Sequence, residues 1–79
     1  MTKGELAEAF AMAKRGERDM EDMRWCDGFA LPDFKPVVCT LRQLAGLIVW
    51  QCAQFDGNWD MNALNEIAEF GKKRFTVVG

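Results

Sequence analysis

The first apolar stripe of the chain has the spacing of a short helix. Apolar residues recur three or four positions apart at Leu6, Ala9, Phe10 and Ala13. Thr2 and Glu5 stand three residues apart just before this stripe, as in a capping box, and Gly16 follows it where a helix ends. The pattern predicts a helix over residues 3–15, and its narrow, alanine-rich stripe predicts close packing against another element.

The pattern is weaker between residues 17 and 40. Residues 17–24 interleave acidic and basic side chains and leave open a short second helix, with Met20 and Met23 facing inward. Farther on, a glycine and two prolines exclude a continuous helix. Large apolar side chains stand among these turn residues, namely Trp25, Phe29, Leu31 and Phe34. We expect an ordered loop over the core, followed by a short strand over residues 35–39.

The next helix is predicted over residues 41–55, and it is apolar on nearly every side. Thr40 and Gln43 have the spacing of a second capping box. One face carries Leu41, Leu44, Ala45, Ile48, Val49, Cys52 and Phe55. The opposite face carries Leu47 and Trp50 among glutamines, and Arg42 is its only charged residue. Such a helix is either central in its fold or shared with a partner.

A chain of 79 residues has little mass with which to cover both sides of that helix. A domain of this size buries only about 60–65% of its unfolded surface, so association with a partner would add stability. We therefore expect a partner-binding surface on the second face of this helix, extended by one tryptophan outside it. Its predicted residues are Leu47, Trp50, Gln43, Gln54 and Trp25.

The last third of the chain predicts a turn, a helix and a strand. Gly57 breaks the pattern, Trp59 is expected in the core, and Asp60 is placed to cap a helix over residues 61–71. The stripe of this helix is Met61, Leu64, Ile67 and Ala68, and Gly71 stands at its end. Residues 75–78 favour a short strand that pairs with residues 36–39.

These elements make up one domain, residues 1–79. The predicted fold class is mainly α: a three-helix domain with an ordered loop, which leaves room for one short two-stranded β pairing. No period recurs along the chain and no stretch is of low complexity.

Composition excludes most catalytic chemistry. The chain contains no His, Ser or Tyr, which excludes a Ser-His-Asp triad, a Cys-His dyad and a His-ligated metal. The three cysteines are expected to be reduced thiols, with Cys26 the most exposed and Asp27 raising its pKa. We expect no enzyme activity, no catalytic residue, no metal and no cofactor.

Two motifs are incomplete. Asp56, Asn58 and Asp60 match the start of a calcium loop, but the required Gly and Glu do not follow, so a turn explains them. Residues 41–70 have the outline of a helix-turn-helix, and a small DNA-binding transcriptional regulator is the alternative function. The net charge of −2 and an acidic last helix make nucleic-acid binding the weaker expectation.

The chain also lacks the pattern of a signal peptide, and its longest apolar run, residues 44–50, is shorter than the roughly 20 residues of a membrane span. A cytoplasmic protein is expected.

The compact frame, the start at Met1 and the ending over residues 74–79 resemble small accessory proteins of bacteriophages and prophages. Many of those are acidic single domains that inhibit a host enzyme, a regulator or a defence complex, anti-CRISPR proteins among them. The resemblance implies a phage-encoded modulator acting in the host cytoplasm. Together with the second face of the 41–55 helix, it favours a non-catalytic protein-interaction module that binds a host protein or self-associates as a homodimer.

Overall fold

A computed structural model describes residues 1–54 and 61–78 of the chain. Its elements follow in the order α1 (Lys3–Arg15), β1 (Val37–Thr40), α2 (Leu41–Gln54), α3 (Met61–Gly71) and β2 (Phe75–Val78), with one 3₁₀ turn at Arg24–Cys26. The chain is a small, mainly helical domain with a two-stranded parallel sheet, which confirms the predicted fold class. The predicted turn at residues 55–60, with Trp59 and the calcium-like pattern, lies outside the described residues.

Helix α1 begins and ends where its sequence predicts. The Thr2 hydroxyl accepts a hydrogen bond from the Glu5 amide (3.1 Å), and the Glu5 carboxylate accepts one from the Thr2 amide (2.7 Å). Gly16 ends the helix with φ +83°, a left-handed conformation that glycine adopts without strain. Ala9 and Ala13 are fully buried, and α1 packs against α2. The small side chains of the stripe allow this close approach.

The segment after α1 does not form the short second helix that its charge pattern left open. Residues 17–23 are non-helical, and Met20 is 39% exposed instead of facing inward. The amide of Asp19 donates to the carbonyl of Arg42 in the first turn of α2 (2.9 Å), and the main chain of Asp19 contacts α2 at Gly46. These tertiary contacts outweigh the weak local preference for a helix, and they place the segment across α2.

Strands β1 and β2 run parallel, with Val37 opposite Phe75 and Thr40 opposite Val78. Parallel pairing requires a crossover between the strands, which α2 and α3 provide. Cys39 and Phe75 point into the core, whereas the outer face carries exposed Val38 and Val78.

Helix α3 buries part of the predicted stripe: Ile67 is fully buried and Leu64 packs against the core, but the buried face is rotated towards Ala63 and Gly71. Its buried residues are Ala63, Ile67 and Gly71, while Met61 is 63% exposed. Gly71 faces the sheet because the ring of Phe75 lies directly against it: a methyl group at Gly71 would stand 2.9 Å from the ring. Close approach to β2 therefore sets the orientation of the helix.

The loop between the 3₁₀ turn and β1 is ordered around one aromatic ring. The rings of Trp25, Phe29 and Phe34 lie 5.4, 5.9 and 6.1 Å from the ring of Phe75. Arg74 donates from one guanidinium nitrogen to the carbonyls of Phe29 and Leu31. This packing confirms the predicted ordered loop and attaches it to the start of β2.

Candidate protein-binding surface at Trp50

A shallow depression of about 230 Å³ opens beside Trp50, on the second face of α2. It is lined by Met23, Arg24, Asp27 and Trp50. Trp50 is half-buried, so part of its indole ring remains available at the surface. The depression joins the predicted residue Trp50 to the 3₁₀ turn through Arg24, whereas the prediction named Trp25 of the same turn.

The charge of Arg24 at this depression is compensated. Its guanidinium donates two hydrogen bonds to the Asp22 carboxylate, at 3.0 and 2.9 Å. The bonds from Arg24 lower the pKa of Asp22 to about 2, and the same pairing raises the pKa of Arg24. Both side chains therefore stay charged at neutral pH and neutralise each other.

Asp27 keeps an uncompensated negative charge. Within the described residues its carboxylate forms neither an ion pair nor a hydrogen bond, and it is exposed. It belongs to the acidic segment, which we define as residues 17–27. This segment has five acidic and two basic side chains, a net charge of −3. The surface around Trp50 therefore combines an aromatic ring with a negative field.

Leu47 does not belong to an exposed surface, which corrects the prediction. It is fully buried, and Gly46 and Gln51 on the same side of α2 are buried as well. The crossing segment covers Gly46 with main-chain atoms, and α1 also packs against α2. Helix α2 is central in the fold at this point, and only Trp50 keeps access to solvent beside the depression.

Of the two predicted glutamines, the structure describes the side chain of Gln43 only. The Gln43 side chain accepts from the Thr40 amide (2.8 Å), and the Gln43 amide donates to the Thr40 hydroxyl (3.1 Å). Its polar end is thus used in the capping box of α2. The side chain of Gln54 lies outside the described residues.

Trp25 belongs to the aromatic cluster and not to the lining of the depression. Its ring meets Phe75 edge to face, and it is half-buried. Its indole nitrogen is buried without a hydrogen-bond partner among the described residues. Its role in partner binding remains a prediction, whereas its packing role is visible.

The cysteines are free thiols, and all three are buried. The expectation that Cys26 is exposed is therefore wrong; its thiol lies 3.1 Å from the carbonyl of Met23, to which it donates. Burial raises the pKa of Cys26 and of Cys39 to about 11, and Asp27 adds to the effect at Cys26. At neutral pH both sulfurs are protonated, and thiolate chemistry is disfavoured.

The cluster of Lys72, Lys73 and Arg74 is only partly free. Arg74 is half-buried and holds the loop carbonyls of Phe29 and Leu31. This role could not be predicted from the sequence, because the partners of Arg74 are main-chain atoms about 45 residues away. Lys72 and Lys73 remain exposed beyond the end of α3, and α3 itself carries no basic side chain.

In the part of the chain that the structure describes, no cluster of three or more carboxylates and thiols is arranged to hold a metal ion. None of the described helices is long and apolar enough to span a membrane. Comparison with protein-family models, curated proteins and solved structures found no match for this chain.

Proposed function

We propose that the protein is a non-catalytic interaction module that binds a protein partner at the Trp50 depression. The observation that carries this proposal is the half-buried Trp50 in a depression beside the unpaired carboxylate of Asp27. Tryptophan in a partly enclosed site is the residue type most enriched among interface hot spots. The proposal keeps Trp50 from the sequence prediction and replaces Leu47 by the lining residues Met23 and Asp27.

The charge of the acidic segment defines the partner chemistry. A lysine or arginine of a partner can place its cation over the Trp50 ring and pair with Asp27, while its aliphatic stem covers Met23. The net charge of −3 over residues 17–27 would also increase the rate of encounter with a basic surface. A basic protein surface is therefore the proposed occupant.

The resemblance to phage accessory proteins gives the proposed biological setting. In that setting the chain modulates or inhibits a host protein or a defence complex in the host cytoplasm. Buried thiols with raised pKa favour this binding role over thiol-based catalysis. Self-association is the competing form of the same proposal, in which the partner is a second copy.

A charge-reversal pair tests the site. Tagged Asp27→Lys and Asp33→Lys variants carry the same change in net charge, and both positions are exposed, but only Asp27 lines the depression. Quantitative capture from host lysate, read by mass spectrometry, should recover a partner with the wild type and with Asp33→Lys. Capture should drop about tenfold or more with Asp27→Lys, since it replaces an attraction at a buried interface by a repulsion.

Equal loss in both variants would show that only overall charge matters, and equal retention would exclude the depression as the interface. Sedimentation equilibrium of the purified chain distinguishes self-association from binding of a host protein. If the chain forms a dimer at high concentration and Asp27→Lys dissociates that dimer, the partner is a second copy.

The alternative, a DNA-binding regulator, has less support from the geometry. Arg74 is held by loop carbonyls, and the exposed side chains of α3 include Asn65 and Glu69 but no base. Phosphate contacts supply most non-specific DNA affinity. Anisotropy of a labelled duplex at low salt should stay flat on addition of the protein, and saturable binding would restore this alternative.

A further inference from the structure

A groove between α1 and α3 has a different chemistry from the Trp50 depression and shares no lining residue with it. Its volume is about 400 Å³, within the range of small-ligand sites. The apolar part of its lining is the side chains of Met1, Leu6 and Ala68, and its charged side chains are Lys3, Lys72 and Glu69; Met1 also carries the N-terminal ammonium group.

The two walls of this groove are tied together. The amino group of Met1 donates to the carbonyl of Phe75 (2.6 Å) and to that of Lys72 (3.2 Å). These bonds join the start of α1 to the turn that follows α3. The groove is therefore formed before any ligand enters, which lowers the entropic cost of binding.

The charged groups leave the groove net positive, in contrast to the whole chain at −2. Lys3, Lys72 and Glu69 are all exposed, and none of them forms an ion pair within the described residues. The Met1 ammonium is bound by its two carbonyl acceptors, and the remaining charges are two lysine ammonium groups and one carboxylate, which favour a negatively charged ligand. The apolar lining favours a ligand whose remainder is apolar.

We propose that this groove binds a small amphipathic carboxylate, that is, an unbranched apolar chain with one terminal carboxylate. The chain lies against Met1, Leu6 and Ala68, and the carboxylate is placed near the ammonium groups of Lys3 and Lys72. This site is independent of the proposed protein interface, and either can hold if the other fails.

The test is a titration of the full chain, labelled with ¹⁵N, with decanoate and with decanol, its uncharged counterpart of equal chain length. Decanoate should shift the amide signals of residues 3–6 and 65–72, with a Kd on the order of 1 mM for so small a ligand. Decanol should bind at the same amides about two- to fivefold more weakly, as expected for loss of exposed charge pairing.

Neighbouring lysines supply a matched control. Lys72→Gln should weaken decanoate binding about two- to fivefold, whereas Lys73→Gln makes the same charge change outside the groove and should leave the Kd unchanged. At physiological salt, charges more than roughly 8 Å from the ligand are largely screened, so a distant lysine should not affect the Kd. Glu69→Gln removes the one opposing charge and should tighten binding. Should Lys72→Gln unfold, Lys3→Gln with Lys35→Gln as its control makes the same comparison.

Several results would overturn this site. These are no shift at millimolar decanoate, shifts centred on Trp50, equal affinity for decanol, and equal effects of Lys72→Gln and Lys73→Gln. Tighter binding at these amides by a blocked peptide of alternating leucine and glutamate would also overturn it, because the occupant would then be a protein segment.

Discussion

Gly46 is the residue on which the covering of α2 depends. A glycine in the middle of a helix is unfavourable by about 1 kcal/mol relative to alanine, so its presence needs a structural reason. Here the reason is contact: a methyl group at Gly46 would overlap the carbonyl oxygen of Asp19. The crossing segment can approach α2 only because that side chain is absent.

Replacing Gly46 by alanine should therefore destabilise the fold. We expect a loss of about 1–3 kcal/mol from overpacking, in spite of the better helix propensity of alanine. The Asp19 amide would also be displaced from the Arg42 carbonyl. Urea unfolding followed by circular dichroism measures the change.

Gly4 in α1 is the matched control, because a methyl group added there would lie 3.8 Å from its nearest neighbour, the Thr2 hydroxyl, which is an ordinary contact distance. Gly4→Ala should be neutral or stabilising by up to about 1 kcal/mol. If Gly46→Ala behaved in the same way, the close crossing over α2 would be refuted.

At the scale of elements, α2 starts at a capping box that also involves a predicted site residue. Thr40→Ala removes the hydroxyl that accepts from the Gln43 amide, and it should cost about 0.5–2 kcal/mol. Thr40→Ser keeps the hydroxyl and should recover most of that loss. Thermal unfolding of the three proteins would show the order, and equal midpoints for the two variants would contradict a capping role.

The helices were predictable because their signals are local. Capping residues stand at Thr2 and Thr40, and the apolar spacing repeats within a few turns, so all three helices lie where they were expected. The strand pairing was also predicted, because the chain has two short β-favouring stretches and an unpaired one at the terminus would fray. Their parallel direction follows only from the crossover through α2 and α3.

What was missed depends on contacts distant in sequence. The charge pattern of residues 17–24 left a short helix open, but the segment bonds to α2 instead. The buried face of α3 is set by Phe75 against Gly71, which no periodicity within α3 reveals.

The same limitation affected the candidate site. The apolar pattern of α2 placed Leu47 on a second, exposed face, whereas Leu47 is fully buried and the main chain of Asp19 covers the neighbouring Gly46. The mid-helix Gly46 was the available signal for that contact.

At the scale of the whole molecule, the buried thiols make stability depend on alkaline pH. The pKa of Cys26 and of Cys39 is near 11 in the fold, against 9.0 for an unperturbed thiol. The folded state thus binds these protons more tightly, so the stabilisation is complete below pH 9 and is lost as pH rises towards 11.

We expect the free energy of unfolding to fall between pH 9 and pH 11, by up to about 2–3 kcal/mol for each of the two thiols. Denaturation series across this range, on the wild type and on Cys26→Ala, measure the slope. The variant should have a shallower slope because one titrating group is gone. Identical slopes would contradict a buried, protonated Cys26.

The charges of the molecule are unevenly distributed, and this gives the protein two chemically distinct surfaces. The acidic segment surrounds the Trp50 depression, and the two lysines lie at the groove between α1 and α3. The net charge of −2 is therefore the sum of a negative surface at the Trp50 depression, a positive one at the groove, and the remaining charges of the chain. The partners of these two surfaces should therefore carry opposite charges.

Site-specific photocrosslinking tests the interface at Trp50 most directly. Benzoylphenylalanine at position 24, in the depression, should form one dominant adduct with a protein partner in host lysate, or with a second copy. The same group at position 33, exposed but outside the depression, should form none. Equal adducts from both positions, or an adduct from position 33 alone, would contradict binding at Trp50.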